Sequence, residues 1–362
     1  MSSSWGDPIH ISIFGESHGA GIGVTIDGLP SGEAVDLEAL CAFMARRAPG
    51  NDKTATPRKE SDSPEILSGL YHGHTTGAPL CAVIKNQNTR SGDYSELTRL
   101  PRPGHADYTG QVRFGGFNDP RGGGHFSGRL TAPLVFAGGV CKQILMRRGI
   151  TVGGHIYQIG AVKDAPFDPV GLSPELLLKL CASRFSLIDE TQQAPMREEV
   201  ERARLSLDSV GGIVECAAVG VPAGLGSPMF GGVENVLSSI VFGIPAVKGV
   251  EFGAGFAAAG MRGSEHNDPF TMEDGKVKTA TNHAGGILGG ITTGMPVILR
   301  AAIKPTASIS KEQRTVDLSL MQSAALSVRG RHDPCIVPRA VPVVEAAAAL
   351  GLCNLMARGN RL

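Results

Sequence analysis

Apolar residues recur at helical spacing in several stretches of the chain. After Asp36, the residues Leu37, Leu40, Cys41 and Met44 fall on one face, and Pro49-Gly50 closes the run. This predicts a helix over 37–47 with Asp36 as its cap. A second apolar face, built on Leu134, Val135, Val140, Cys141, Ile144 and Leu145, predicts a helix from near Ser127 to Arg148. Ser173-Pro174-Glu175 has the order of a helix start. Further helices are expected over roughly 195–205 and over 341–358, the last apolar on all sides and so interior. Short β-rich runs lie between them: 10–14, 20–27, 80–84, 213–219, 247–252 and 297–303. Helices and strands do not alternate regularly, which points to an α+β chain rather than a parallel sheet.

The turn residues carry a repeat. Asp27-Gly28-Leu29-Pro30-Ser31-Gly32 resembles Val219-Gly220-Val221-Pro222-Ala223-Gly224, and Thr75-Thr76-Gly77-Ala78-Pro79 resembles Thr292-Thr293-Gly294-Met295-Pro296. Both pairs occur in the same order, and each second segment leads into a strand ending in Ile-Lys. The expectation is two similar halves packed together. Segments 50–65, 86–128 and 262–284 are polar and punctuated by glycine and proline, and read as long functional loops.

Composition narrows the classes. Lys+Arg and Asp+Glu are 34 each, so there is no global basic field and no nucleic-acid partner is expected. Charged residues are only 19%, below the usual share of about 25%, which suggests extensive buried surface. The 49 glycines are clustered and about double the usual share, marking tight turns and close backbone approach to a ligand. Seven cysteines without a C-x-x-C pair read as reduced thiols of a cytoplasmic protein. No leader or membrane-spanning segment is expected. His72-Gly73-His74 has no evident third ligand and reads as a loop, so no metal site is expected.

Six short constellations carry candidate chemistry. Gly15-Glu16-Ser17-His18-Gly19 fits the G-x-S-x-G elbow of serine hydrolases, which would make Ser17 a nucleophile. A β-branched, glycine-broken run follows it, however, where an elbow needs a helix. Arg102-Pro103-Gly104-His105-Ala106-Asp107 is the second. The third, Arg121-Gly122-Gly123-Gly124-His125-Phe126-Ser127-Gly128-Arg129, sets a triple glycine before a helix start and suits an anion. The others are Asn282-His283-Ala284-Gly285-Gly286-Ile287-Leu288-Gly289-Gly290, Lys304-Pro305-Thr306-Ala307-Ser308 and Arg329-Gly330-Arg331-His332-Asp333-Pro334-Cys335.

In this order, from about Gly15 to about Ala346, these segments resemble the chorismate synthase family. The resemblance implies one domain over 1–362: a β-α-β sandwich of two antiparallel sheets around central helices, assembled as a homotetramer. It also implies a lyase that removes phosphate and a ring proton from 5-enolpyruvylshikimate 3-phosphate by 1,4-anti elimination, the last step of the shikimate pathway. That reaction requires reduced FMN, with NADPH as a candidate reductant. Carried over residue by residue, His18 protonates the leaving phosphate, His105 protonates or orients the reduced flavin, and Asp333 partners the flavin nitrogen that helps take the ring proton. Ser17, Arg47, Arg102, Ser127, Arg129 and Arg331 match substrate-binding positions. Arg47, Lys53, His125, Phe126, Ser127, Pro245, Ala246, Gly289, Lys304, Pro305, Thr306, Ala307, Ser308 and Arg331 match flavin-binding ones. Arginine suits this work because its planar fork pairs bidentately with carboxylate and phosphate.

Two segments depart from the family pattern. The family commonly has Arg-Ser-Ser-Ala-Arg at 125–129 and Asn-Ala-Val-Lys-Gly at 245–249, where this chain has His125-Phe126-Ser127-Gly128-Arg129 and Pro245-Ala246-Val247-Lys248-Gly249. Both fall on the cofactor side and bear on FMN affinity. They raise the alternative of a flavin-binding homologue that has lost catalysis.

Overall fold

The computed structural model describes residues 3–48, 62–86, 97–328 and 333–362. Eight strands and four helices form its frame. The first half holds β1 (His10–Gly15), β2 (Gly21–Asp27), α1 (Leu37–Arg47), β3 (Glu65–Ser68), β4 (Leu80–Lys85) and α2 (Thr131–Arg147). In the second half are β5 (Thr151–Ile159), β6 (Gly212–Val219), α3 (Val233–Val241), β7 (Val247–Phe252), β8 (Val297–Ile303) and α4 (Val337–Arg358). Pairing is antiparallel throughout, in the order β1-β2-β4-β3 in one sheet and β5-β6-β8-β7 in the other. The two sheets therefore have the same strand order.

The repeated turns are equivalent bond for bond. Thr75 Oγ1 donates to Pro30 O at 2.6 Å and accepts from Glu33 N at 2.9 Å. In the other half, Thr292 Oγ1 donates to Pro222 O at 2.7 Å and accepts from Leu225 N at 2.9 Å. Gly32 N donates to Thr75 O at 2.7 Å, and Gly224 N to Thr292 O at 2.9 Å. Each threonine is buried and ties the loop after the second strand of its sheet to the turn before its partner strand.

Inward residues of β2 (Ile22, Val24 and Ile26) are fully buried, as alternation requires. Helices α2 and α4 lie against each other between the sheets, with α1 beside both and α3 beside α4. Small residues allow that crossing: a β-carbon on Gly138 would stand 2.3 Å from Ala346 O. Helix α4 is long and apolar enough to cross a membrane, yet it is almost wholly buried inside the fold. Its acidic residue Glu345 is held by Arg46 (2.8 Å) and Lys142 (2.6 Å), which pins α4 to α1 and α2. Arg46 is thus a core cation, while its neighbour Arg47 faces elsewhere.

Helix α1 matches its expected bounds, and Asp36 Oδ1 accepts from Ala39 N at 3.0 Å. Helix α4 begins at Val337 rather than 341, because Pro338 occupies the first turn, where no N–H is needed. Segment 127–130 is a capped 3₁₀ turn, with α2 starting at Thr131. The loop reading of 86–128 and 262–284 is too simple: the first holds a helix at Asp107–Arg113, the second a hairpin of Phe270–Glu273 with Lys276–Thr279. Strand β5 and helix α3 carry no expectation from the sequence. Gly153-Gly154 interrupts the pattern of β5, and Gly153 is small because Leu177 packs on it, 2.9 Å from where a β-carbon would be.

Candidate active site

Strand β1 ends at Gly15, and the next residues turn back into β2. Ser17 and His18 on this turn are buried. Ser17 Oγ lies 3.1 Å from His18 Nδ1 and donates to Gly122 O at 3.0 Å, while Ser17 N donates to Gly124 O at 3.2 Å. The chain continues as a strand, so the elbow geometry of a serine hydrolase is absent and that alternative is set aside.

The triple glycine is what the turn packs on. Gly122, Gly123 and Gly124 have φ of 60°, 84° and 52°, conformations costly for other residues. A β-carbon on Gly122 would stand 2.1 Å from His18 Cε1, and one on Gly123 would stand 3.1 Å from His105 Nε2. Adjacent glycines thus face the two imidazoles, one each. The expected anion site at the following helix is already capped: Ser127 Oγ accepts from Arg129 N at 3.3 Å.

His105 belongs to a tight unit with Arg102 and Asp107. Asp107 Oδ1 is 2.6 Å from His105 Nδ1 and 2.7 Å from Arg102 Nη2, and Asp107 Oδ2 accepts from Arg102 Nε at 2.7 Å. Burial pushes the Asp107 carboxyl up, but the bonds from Arg102 and His105 outweigh it and hold the group well below the usual carboxylate range. Arg102 Nη1 donates to Ser308 Oγ at 2.9 Å, which brings in the loop after β8. On the same loop Lys304 Nζ donates to Gly104 O, Lys304 N donates to Ala246 O at 2.9 Å, and Thr306 Oγ1 donates to Asp333 O at 2.9 Å. Burial and the nearby Lys248 lower the Lys304 pKa.

Asp333 continues the circuit. Its carboxylate pairs with Arg339 Nη1, and Arg339 Nε donates to Arg47 O at 2.8 Å. Arg47 donates through Nε to Asp62 Oδ2 at 2.7 Å, and Asp62 Oδ1 pairs with Arg129 Nη1. Arg129 Nε reaches Asn86 Oδ1 at 3.2 Å, and Asn86 Nδ2 donates to Glu16 O and Gly19 O, flanking Ser17 and His18. Burial, with Arg339 and Arg129 close by, lowers the Arg47 pKa to about 10 despite Asp62. The contacts close on themselves, from the turn at 16–19 through residues of both halves and back.

The circuit gathers Ser17, His18, Arg47, Arg102, His105, Arg129, Lys304, Thr306, Ser308 and Asp333, with Ser127, Pro305 and Ala307 adjoining in sequence. Ala246 joins through its carbonyl, next to Pro245. His125 and Phe126 border the circuit through contacts of their own. His125 Nδ1 is 2.8 Å from Gly15 O and Nε2 is 2.6 Å from Ser3 Oγ, while Phe126 packs on Gly110 and near Phe114. Gly289 lies on the hairpin before β8, at the opposite end of that strand from Lys304, roughly 20 Å away at strand rise. Lys53 and Arg331 lie outside the described residues.

Four contributors escape the sequence reading: Asp62, Asn86, Asp107 and Arg339. Asp107 closes the Arg102–Asp107 motif, and its spacing of two from His105 is the signal that marks it. The other three sit in unremarkable polar or helical contexts. Arg47 and Arg129 pair with Asp62, Arg102 with Asp107 and Arg339 with Asp333, which gathers cationic side chains at one place in a chain of zero net charge. Among the described residues Lys304 pairs with no carboxylate. This donor set fits anionic ligands, including the phosphate of a flavin mononucleotide.

The family model described as chorismate synthase matches residues 9–357. Chorismate synthase of Thermococcus kodakarensis is 49% identical over 353 residues, covering 98% of this chain and 97% of that protein. The Thermococcus gammatolerans protein of the same name is 50% identical over 355 residues, with coverage of 98% and 97%. That of Lancefieldella parvula is 46% identical over 367 residues, with coverage of 98% and 96%. A crystal structure of chorismate synthase superposes with a TM-score of 0.75 at 26% identity, covering 98% of this chain and 93% of that one.

Proposed function

The chain belongs to the chorismate synthase family, and we propose that the closed circuit around His18, His105 and Asp333 carries out that family's reaction on 5-enolpyruvylshikimate 3-phosphate. The observation that supports this reading most is the convergence itself. Residues from 17 to 333 in sequence meet in one network, whose arginines and Lys304 suit a substrate bearing a phosphate and two carboxylates.

Reduced FMN, when bound, supplies electron density transiently to the allylic system of the substrate. The rest falls to the chain. Arg47, Arg102 and Arg129 hold the substrate's anionic groups, and their burial strengthens each pairing. His18, beside Ser17 and Gly122, delivers a proton to the departing phosphate oxygen as a general acid. Asp107 holds His105 through Nδ1, which turns Nε2 toward Gly123 and the cofactor side. Lys304 and the 304–308 loop receive the flavin phosphate and ring edge. Asp333, oriented by Arg339, is the carboxylate toward which the ring proton passes.

The whole chain acts as one domain and assembles as a homotetramer in the cytoplasm. The exposed side chains of Met229, Phe230 and Phe256 support burial against further copies. The departures at His125 and Phe126 leave the backbone of 125–127 as the cofactor contact. Gly289 joins the pocket only if a neighbouring subunit supplies it.

Anaerobic incubation with chemically reduced FMN and 5-enolpyruvylshikimate 3-phosphate should yield chorismate and inorganic phosphate. Substrate binding without product at saturating reduced flavin would instead support a homologue that has lost catalysis. A parallel arm with oxidised FMN and NADPH reads whether the chain reduces its own flavin.

A further inference from the structure

The two arginines assigned to the substrate already hold an anion, and it is one of the protein's own. Asp62 is 2% exposed, between Arg47 at 3% and Arg129 at 5%. Its Oδ2 lies 2.7 Å from Arg47 Nε and 2.6 Å from Arg47 Nη2, and its Oδ1 pairs with Arg129 Nη1. The neutral partners of the same guanidinium groups are longer: Thr131 Oγ1 at 3.4 Å from Arg47 Nη1, and Asn86 Oδ1 at 3.2 Å from Arg129 Nε. Each guanidinium thus makes a short, charge-assisted contact with this one carboxylate.

Arg339 stands close enough to act on Arg47 electrostatically, and its own partner is Asp333. Asp62 bridges two buried guanidinium groups, so a ligand oxyanion entering the same place would meet both forks. A phosphate dianion offers more charge than a carboxylate in the same geometry, and needs the same N–H groups.

We propose that Asp62 is an internal stand-in for the substrate's oxyanion, holding Arg47 and Arg129 in place and exchanging for a phosphate or carboxylate of the incoming ligand. The proposal rests on the reading that these arginines bind substrate. Its consequence is a competition built into the site. Asp62 stabilises the empty pocket, lowers apparent affinity by the fraction of time it occupies the forks, and screens out weak anions that cannot displace it.

The test compares wild type with Asp62→Asn and Asp62→Ser. Thermal unfolding is followed with and without inorganic phosphate, and anaerobic binding of 5-enolpyruvylshikimate 3-phosphate is measured by calorimetry. The variants should melt below wild type when free, gain more melting temperature from phosphate than wild type does, and bind substrate about three- to tenfold more tightly. Weaker substrate binding together with no extra phosphate response would make Asp62 a scaffold residue and overturn the proposal. If neither variant folds alone, refolding in concentrated phosphate decides: recovery supports exchange, and failure rejects it. Phosphate stabilisation is read without turnover, so a wild type that makes no chorismate would overturn the family reaction here while leaving this arm decisive.

Discussion

Gly122 faces His18 at a distance that leaves no room for a methyl group, since a β-carbon there would stand 2.1 Å from both Cε1 and Nδ1 of the imidazole. Gly122→Ala must therefore displace the His18 ring, and it also places a β-carbon at φ of 60°. We expect kcat to fall by more than about tenfold, since misplacement of a reacting group by a fraction of an ångström has that effect. Circular dichroism should show the fold retained, and wild-type kcat in the variant would remove His18 from the proton transfer.

His18→Ala and His105→Ala should each lose more than about tenfold in activity while keeping the fold. Single-turnover rates with reduced flavin separate the two roles. Loss at His18 should be milder for a substrate analogue with a better leaving group, whereas loss at His105 should not depend on the leaving group. Wild-type-like rates in both variants would reject both assignments.

The matched hinges Thr75 and Thr292 predict matched costs. Each hydroxyl donates one bond and accepts another in a buried turn. Thr75→Val and Thr292→Val should each destabilise by about 1–3 kcal/mol, the cost of leaving buried partners unpaired. Denaturant titration reads both; a large loss in one with none in the other would show that the halves do not share this device energetically.

Burial raises the Glu345 carboxyl, but Arg46 and Lys142 outweigh it and bring the pKa from 4.5 to about 2. A depressed acid contributes stability that is present above its unfolded pKa and lost as pH falls through the folded one. The window is therefore from 4.5 down to about 2, and the contribution is roughly 3 kcal/mol. Glu345→Gln should flatten the acid limb of the stability curve across that range and lower stability at neutral pH, because Arg46 and Lys142 keep buried charge without its counterion. An unchanged acid limb would place the acid sensitivity elsewhere.

The sequence shows the frame wherever one surface of an element meets water. Helix α1 reads true to the residue because Asp36 caps it and only one face is buried. Helix α4 reads short at its start because Pro338 mimics a break that the first turn tolerates. Strand β5 hides behind Gly153, whose smallness serves a helix packed on the sheet rather than the strand itself. The threonine turns read as a repeat because φ-demanding glycines and loop-tying threonines leave a fixed imprint. The site reads through its motifs, since glycine, histidine and arginine at fixed offsets are hard to produce otherwise. Asp62 and Arg339 do not, because one acid among several in a polar stretch and an arginine in a helix resemble ordinary surface residues. Only the folded chain brings them to Arg47.

The matching sheets also carry a lesson about division of labour. Ser17, His18, Arg47 and Arg129 come from one repeat, while Lys304, Ser308 and Asp333 come from the other. A chain severed between 148 and 149 would yield two pieces with like skeletons and incomplete chemistry. Catalysis in such a split protein would return only on reassembly, making enzyme activity itself a reporter of how the halves find each other.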